Sequence, residues 1–170
     1  AAGHSARWAA DAPAPPAACR LPVPMATVLA GGRHSPSDLE FEDYLLVFDG
    51  FGRFGEALEA LVAIRGTLGE LLESRFGFVP DVGGALAPPI WDTRVAFDIM
   101  LDAICQCGFD GRVSLGLDVA GSDLCMDGLY SVDRSQLKAS EFCRYLEALA
   151  RDYPVVLIED PFEQDDFASF

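Results

Sequence analysis

The sequence has few basic residues, and this shortage excludes several classes of partner. It contains 12 Lys and Arg residues against 27 Asp and Glu residues, a formal net charge of −15 over 170 residues. Such a negative field repels polyanions, so we expect neither nucleic acid nor an anionic membrane surface as a partner. An acidic chain can instead bind divalent cations where carboxylates converge, or its acids can simply form a well-solvated surface.

The sequence also lacks paired cysteines and long apolar runs. Its five cysteines form no CxxC pair and no cluster with histidine, which argues against a disulfide framework and against structural zinc. It has no run of about 18 apolar residues and no cleavable signal. We therefore expect a soluble, cytoplasmic protein. Hydrophobic residues make up 51% of the chain, which is enough for a real core.

The two ends of the chain differ from its middle. Residues 1–20 are almost all Ala, Pro and polar residues, a composition that predicts a disordered tail or linker. The length of residues 21–170 suits one domain. The chain starts with Ala1 instead of methionine and stops at Phe170, where we expect a helix to begin. We therefore expect this chain to be a fragment of a longer protein.

Hydrophobic patterns predict an α/β fold with the order β-β-α-α-β-α-β. Continuous apolar runs predict buried strands over residues 21–30, 44–48, 113–118 and 155–159. Spacings of three and four residues predict helices over residues 53–75, 92–106 and 140–151. The last strand, helix and strand form a βαβ unit, whose two strands should be parallel.

Some details of these elements can also be predicted. The first helix should bury a stripe made of Leu58, Leu61, Val62, Arg65, Leu68, Leu71 and Leu72. The second should be capped by Asp92 or Thr93 and bury Val95, Ile99 and Ala103. Residues 78–90 are rich in Gly and Pro, which predicts a loop, and Asp127-Gly128 indicates a small hairpin.

Two acids at strand ends form the most suggestive pair in the sequence. Asp118 and Glu159 each end an apolar strand, and one strand-helix unit separates them. Neighbouring parallel strands would bring both side chains to one rim of a sheet or barrel, where α/β active sites lie. Two oxygen ligands at that rim suit Mg²⁺. The alternative is that these acids mark only where the strands reach solvent.

Four motifs give the chain its resemblance to a known family. They are LPVPM at 21–25 with GGRH at 31–34, DVGGALAP at 81–88, LGLDVA at 115–120, and LIEDPF at 157–162 followed by DDF at 165–167. Their order and spacing resemble those of the enolase family, in particular its divergent, testis-type members. The resemblance implies the first half of an enolase-type (β/α)₈ barrel. The family's N-terminal α/β domain and its later barrel strands would lie outside this chain.

The resemblance also implies a function. Enolases are glycolytic lyases that use Mg²⁺ to dehydrate 2-phospho-D-glycerate, a small phosphorylated carboxylate, to phosphoenolpyruvate, and a full-length member is expected to be a homodimer. By position, Asp118 and Glu159 match the first two Mg²⁺ ligands, and His34 matches a substrate-side histidine. Asp43, in LEFEDY at 39–44, stands where the family has a substrate-contacting glutamate. The resemblance implies that the third metal ligand and the lysine base would lie beyond Phe170, outside this sequence.

One departure from the family pattern concerns catalysis directly. Val82 stands where the family has the glutamate that gives a proton to the departing hydroxyl, and valine has no proton to give. The neighbouring Asp81 is a candidate substitute. Val82 favours the alternative function, a catalytically inactive enolase-like protein kept for binding or structure, whereas Asp118, Glu159 and His34 favour a retained metal and ligand site. A different acid-sugar lyase or racemase of the wider superfamily is disfavoured by the close LIEDPF and LPVPM matches.

Overall fold

The computed structural model describes residues 22–170, which form nine strands and four helices. The tail predicted for residues 1–20 lies outside the described residues. The strands are β1 (Met25–Ala30), β2 (Asp43–Val47), β3 (Asp81–Val82), β4 (Ala85–Leu86), β5 (Ser114–Asp118), β6 (Cys125–Met126), β7 (Leu129–Val132), β8 (Ser135–Lys138) and β9 (Val155–Glu159). The helices are α1 (Phe54–Phe76), α2 (Thr93–Gln106), α3 (Gly121–Leu124) and α4 (Ala139–Asp152), with a 3₁₀ turn at Gly32–His34.

Six strands form the main sheet, in the order β3-β4-β1-β2-β5-β9. β2 is antiparallel to both β1 and β5, whereas β5 and β9 are parallel. This parallel pair confirms the predicted βαβ unit. The segment predicted as a loop over residues 78–90 contains the two-residue strands β3 and β4, which turn at Gly83-Gly84. These strands are too short for an apolar run to reveal.

A second, three-stranded sheet lies between β5 and α4 in the chain. Its strands run in the order β6-β7-β8, all antiparallel. The predicted Asp127-Gly128 hairpin is confirmed, because Met126 pairs with Leu129 across it. Neither β8 nor the short helix α3 was predicted, since neither segment has a sustained apolar pattern.

The long helix α1 buries a different stripe from the one expected. The buried residues are Ala57, Ala60, Ile64, Leu68 and Leu72. The prediction was right for Leu68 and Leu72 and wrong for Leu58 and Val62, whose side chains are 48% and 67% exposed. The physical reason is that small alanines let the helix approach the core closely, so that the larger side chains beside them face solvent.

The helix α2 begins as predicted. Asp92 caps it, since its Oδ1 accepts hydrogen bonds from the backbone N–H groups of Arg94 (2.8 Å) and Val95 (3.2 Å). Ile99 and Ala103 are buried as expected, but Val95 is exposed because it lies on the outer side of the first turn. Among the described residues, no helix is long and apolar enough to cross a membrane.

Candidate active site

Three carboxylates stand in one row across neighbouring strands. In the strand register, Asp43 lies opposite Asp118, and Asp118 lies opposite Glu159. Adjacent strands are about 4.8 Å apart, so these backbone positions are close neighbours. Because β2 runs antiparallel to β5, its first residue lies at the same rim of the sheet as the last residues of β5 and β9. The predicted meeting of Asp118 and Glu159 is therefore observed, and Asp43 joins them.

The row carries uncompensated negative charge. Burial raises the pKa of Asp118, and the charges of Glu159, Glu42 and Asp43 raise it further, while a hydrogen bond from the Ala120 N–H (3.2 Å) acts in the opposite direction. In the part of the chain that the structure describes, no Lys or Arg forms an ion pair with these carboxylates. A hard divalent cation would supply the missing positive charge.

The donor atoms at this rim fit such a cation, although the set of ligands is small. Within residues 22–170, no group of three or more His, Cys, Asp or Glu side chains has the geometry of a metal site. The candidate ligands are therefore the pair Asp118 and Glu159. Carboxylate oxygens of this kind are what Mg²⁺ prefers, and Mg²⁺ commonly keeps several waters and takes only one or two protein carboxylates.

An open cleft of about 250 Å³ adjoins the carboxylate row. His34, Glu42, Asp43, Val82 and Gly83 are among its walls. The structure thus brings together His34, Asp43 and Val82, three positions that the sequence resemblance assigned to the substrate side. Asp43 belongs both to the cleft and to the carboxylate row, so the two form one continuous candidate site.

The walls of the cleft are held by short local contacts. Thr27 donates a hydrogen bond from Oγ1 to Asp43 Oδ2 (3.0 Å), which restrains that carboxylate. The Gly31 N–H donates to the Glu42 carbonyl oxygen (2.8 Å), and a Cβ placed at Gly31 would lie 2.6 Å from the Leu39 carbonyl oxygen. Only glycine fits there. This close approach fixes the start of the 3₁₀ turn that carries His34.

The β3-β4 hairpin places Val82 in the cleft and Asp81 elsewhere. The Asp81 carboxylate forms an ion pair with Arg65 of α1 and accepts a hydrogen bond from the Gly84 N–H (2.8 Å). Gly83 and Gly84 have φ values of +62° and +100°, a conformation that favours glycine. Asp81 is not a wall of the cleft. This geometry counts against Asp81 as the substitute acid considered from the sequence.

Glu42 is a cleft residue that the sequence reasoning did not select. It lines the cleft beside Asp43, and its charge contributes to the raised pKa of Asp118. Its place in the acid-rich segment just ahead of β2 was a usable signal. Strand alternation does not separate Glu42 from Asp43, because Glu42 precedes β2, which begins at Asp43.

Comparisons with known proteins agree with the architecture. Residues 18–170 match the family described as "Enolase, C-terminal TIM barrel domain". The chain is 40% identical over 156 residues to the enolase of Methanothrix thermoacetophila, and 36% identical over 157 residues to that of Aeropyrum pernix. These matches cover 90% and 89% of this chain but 37% and 36% of the relatives. The chain thus spans little more than a third of their length, and its predicted partial barrel fold is confirmed.

Proposed function

The chain belongs to the enolase family, and from that membership we propose that it forms the first part of a lyase site that dehydrates 2-phospho-D-glycerate to phosphoenolpyruvate in glycolysis. The observation that carries the proposal is the continuity of the cleft with the carboxylate row through Asp43. A cleft beside converged carboxylates suits a small anionic substrate that binds together with a cation.

Asp118 and Glu159 are the residues that would hold Mg²⁺ in this proposal. When bound, Mg²⁺ supplies positive charge that stabilises the negative charge developing on the substrate carboxylate. The raised pKa of Asp118 supports this assignment, and so does the fact that no Lys or Arg within residues 22–170 forms an ion pair with the row. The homodimeric state and the cytoplasmic location are further parts of the proposal, taken from the family resemblance.

The cleft residues bind and orient the substrate in this proposal. His34, presented by the 3₁₀ turn, is a hydrogen-bonding group for an anionic ligand. Asp43, whose carboxylate is restrained by the hydrogen bond from Thr27, is a substrate-contacting group in this proposal. A carboxylate shortened by one methylene relative to glutamate reaches less far, and a misplacement of about 1 Å can cost about 100-fold in rate.

A second function is favoured by one observation. Val82 lines the cleft with an apolar side chain where the family has its proton donor. An inactive enolase-like protein that binds a phosphorylated carboxylate would need the cation and the cleft but no proton donor. The two candidates therefore differ in one chemical step, the loss of the hydroxyl.

The experiment that separates them follows two reactions in the full-length protein that contains this chain. Formation of phosphoenolpyruvate from 2-phosphoglycerate reports dehydration, and loss of a deuterium label from C2 reports proton removal. Dehydration would establish the lyase. Binding of 2-phosphoglycerate with Mg²⁺ but no dehydration would establish the binding protein. Absence of binding, exchange and dehydration would reject both and leave only the fold in common with enolases.

A further inference from the structure

Asp133, at the turn between β7 and β8, is the centre of a hydrogen-bond network that the proposed function does not use. Its Oδ1 accepts from the Thr93 N–H at the start of α2 (3.0 Å), and its Oδ2 accepts from the Tyr145 hydroxyl of α4 (2.6 Å). Its own backbone N–H donates to the Glu40 carboxylate. One residue of the second sheet therefore ties together two helices and the segment that precedes β2.

This network holds both ends of the segment that carries the cleft residues Glu42 and Asp43. Glu40 lies two residues before Glu42. Tyr44, directly after Asp43, shares a hydrogen bond with the hydroxyl of Thr93 (3.0 Å), which in turn donates its N–H to Asp133. Tyr44 and Thr93 are both buried, so these bonds are shielded from water. Contacts made by Asp133 thus restrain this wall of the cleft from both sides.

The turn itself is held in a conformation that needs support. Asp133 and Arg134 both have positive φ values, +47° and +60°. Such values are uncommon outside glycine and persist where the surroundings fix them. The Arg134 guanidinium packs over the Trp91 ring at 4.5 Å from its centroid. Burial raises the pKa of Glu40, while hydrogen bonds from the backbone of Asp133 and Arg134 act against that rise and favour its charged form.

We propose that Asp133 is a positioning residue, which sets the place of the Glu42-Asp43 wall and thereby the affinity of the cleft for its anionic substrate. The inference rests on the proposed function, because it takes 2-phosphoglycerate as the ligand of the cleft. It assigns a role to the second sheet, because its β7-β8 turn restrains the segment that carries Glu42 and Asp43. The metal side is carried by β5 and β9, and neither strand contributes a side chain to this network.

The test uses two substitutions that alter the same hydrogen bond from opposite ends. Asp133→Asn keeps the shape and tolerates positive φ, and its carbonyl oxygen can still accept from Thr93, but its uncharged amide must donate to the Tyr145 oxygen, so the bond loses its charge and reverses its direction. Tyr145→Phe removes the hydroxyl itself. Tyr153→Phe is the matched control, because Tyr153 directly follows α4 and donates an equivalent hydrogen bond to Asp98 (3.0 Å), away from the cleft segment.

The measurement is calorimetric titration of the full-length protein, first with Mg²⁺ alone and then with 2-phosphoglycerate at saturating Mg²⁺. Titrations are run well below the unfolding temperature of each variant. We expect Asp133→Asn and Tyr145→Phe to weaken 2-phosphoglycerate binding about tenfold through displacement of the wall. Binding of Mg²⁺ alone should be unchanged, and Tyr153→Phe should alter neither affinity. A purely structural role would not produce this split between the two ligands.

Other outcomes overturn the proposal. Unchanged 2-phosphoglycerate affinity in both variants, equal losses for both ligands, or the same loss in Tyr153→Phe would each show that Asp133 does not position the cleft. If Asp133→Asn fails to fold, the titrations of Tyr145→Phe decide between these outcomes. If the unsubstituted protein binds no 2-phosphoglycerate, the proposed function itself fails and the positioning role falls with it. That result differs from a failure of positioning alone, in which the unsubstituted protein still binds.

Discussion

A departing hydroxyl needs a proton, and few side chains around the cleft can give one. Val82 cannot, and Asp81 is held by Arg65 outside the cleft walls. We predict that Val82→Glu in the full-length protein raises the rate of phosphoenolpyruvate formation by about 10²–10⁴, the range that a positioned general acid supplies. Val82→Gln is the control, since it has the same length without an acidic proton. An equal gain with glutamine would mean that polarity or packing, and not proton donation, was limiting.

Replacing the Asp118 carboxylate by an amide should stabilise the fold in the absence of Mg²⁺ and weaken Mg²⁺ binding. Its folded-state pKa is raised above the unfolded value near 3.8. The fold therefore disfavours its charged form, a penalty fully present above the folded pKa and lost as pH falls below the unfolded pKa. We predict that, without Mg²⁺ at neutral pH, Asp118→Asn raises the midpoint of thermal unfolding. This difference should vanish in acid.

With excess Mg²⁺ at neutral pH, the unsubstituted protein should have a higher midpoint of thermal unfolding than Asp118→Asn. A bound cation stabilises the folded state, and the asparagine variant loses one charged ligand. Thermal unfolding with a chelator and with excess Mg²⁺, each at neutral and acidic pH, checks both signs. If Asp118→Asn gains the same Mg²⁺-induced stabilisation as the unsubstituted protein, Asp118 is not a ligand.

At the scale of elements, the segment that follows β9 packs closely against Gly121, the glycine that begins α3 after β5. A Cβ at Gly121 would lie 2.6 Å from the backbone N and C atoms of Phe162, whereas one at Gly66, in α1, would meet nothing within 4 Å. We predict that Gly121→Ala lowers the free energy of unfolding by about 1–3 kcal/mol. It should also weaken Mg²⁺ binding, because the segment forced away follows Glu159 directly.

The matched control, Gly66→Ala, should raise the free energy of unfolding by about 0.5–1 kcal/mol, because alanine is the better helix former. Denaturant unfolding of both variants gives the two values. A stable Gly121→Ala protein with normal Mg²⁺ affinity would show that the segment after β9 moves without shifting Glu159.

The elements differ in how far the sequence predicts them. β5, β9, α2 and α4 were predicted closely because long apolar runs and helical spacing are strong local signals. The stripe of α1 was partly wrong, since exposed Val62 and buried Ala60 have similar local patterns and only tertiary packing separates them. The strand β8 depends on pairing with β7, and the strands β3 and β4 depend on a glycine turn. None of these three strands has a periodic apolar pattern in the sequence.

In the candidate site, too, some features follow from local sequence patterns and others depend on tertiary contacts. The meeting of Asp118 and Glu159 was predictable because parallel neighbours end at one rim. The place of Asp43 came from the family resemblance, and its pairing with Asp118 depends on the register of β2. Contacts made by Asp133 join it to Glu40 and Thr93, which are distant in the chain, and no local pattern could indicate them.

At the scale of the whole molecule, the main sheet has an open edge. Within residues 22–170, β9 pairs on one side only, with β5, and Val156 near its start is 58% exposed. Such an edge invites pairing between chains. We predict that residues 1–170, prepared alone, are partly molten or oligomeric, and that Val156→Lys reduces association in sedimentation velocity. Val62→Lys on α1, at 67% exposure, is the matched control and should leave association unchanged. A monomeric chain with a sharp two-state thermal transition would contradict the prediction, because an edge that recruits a neighbour cannot leave the chain both monomeric and cooperatively folded.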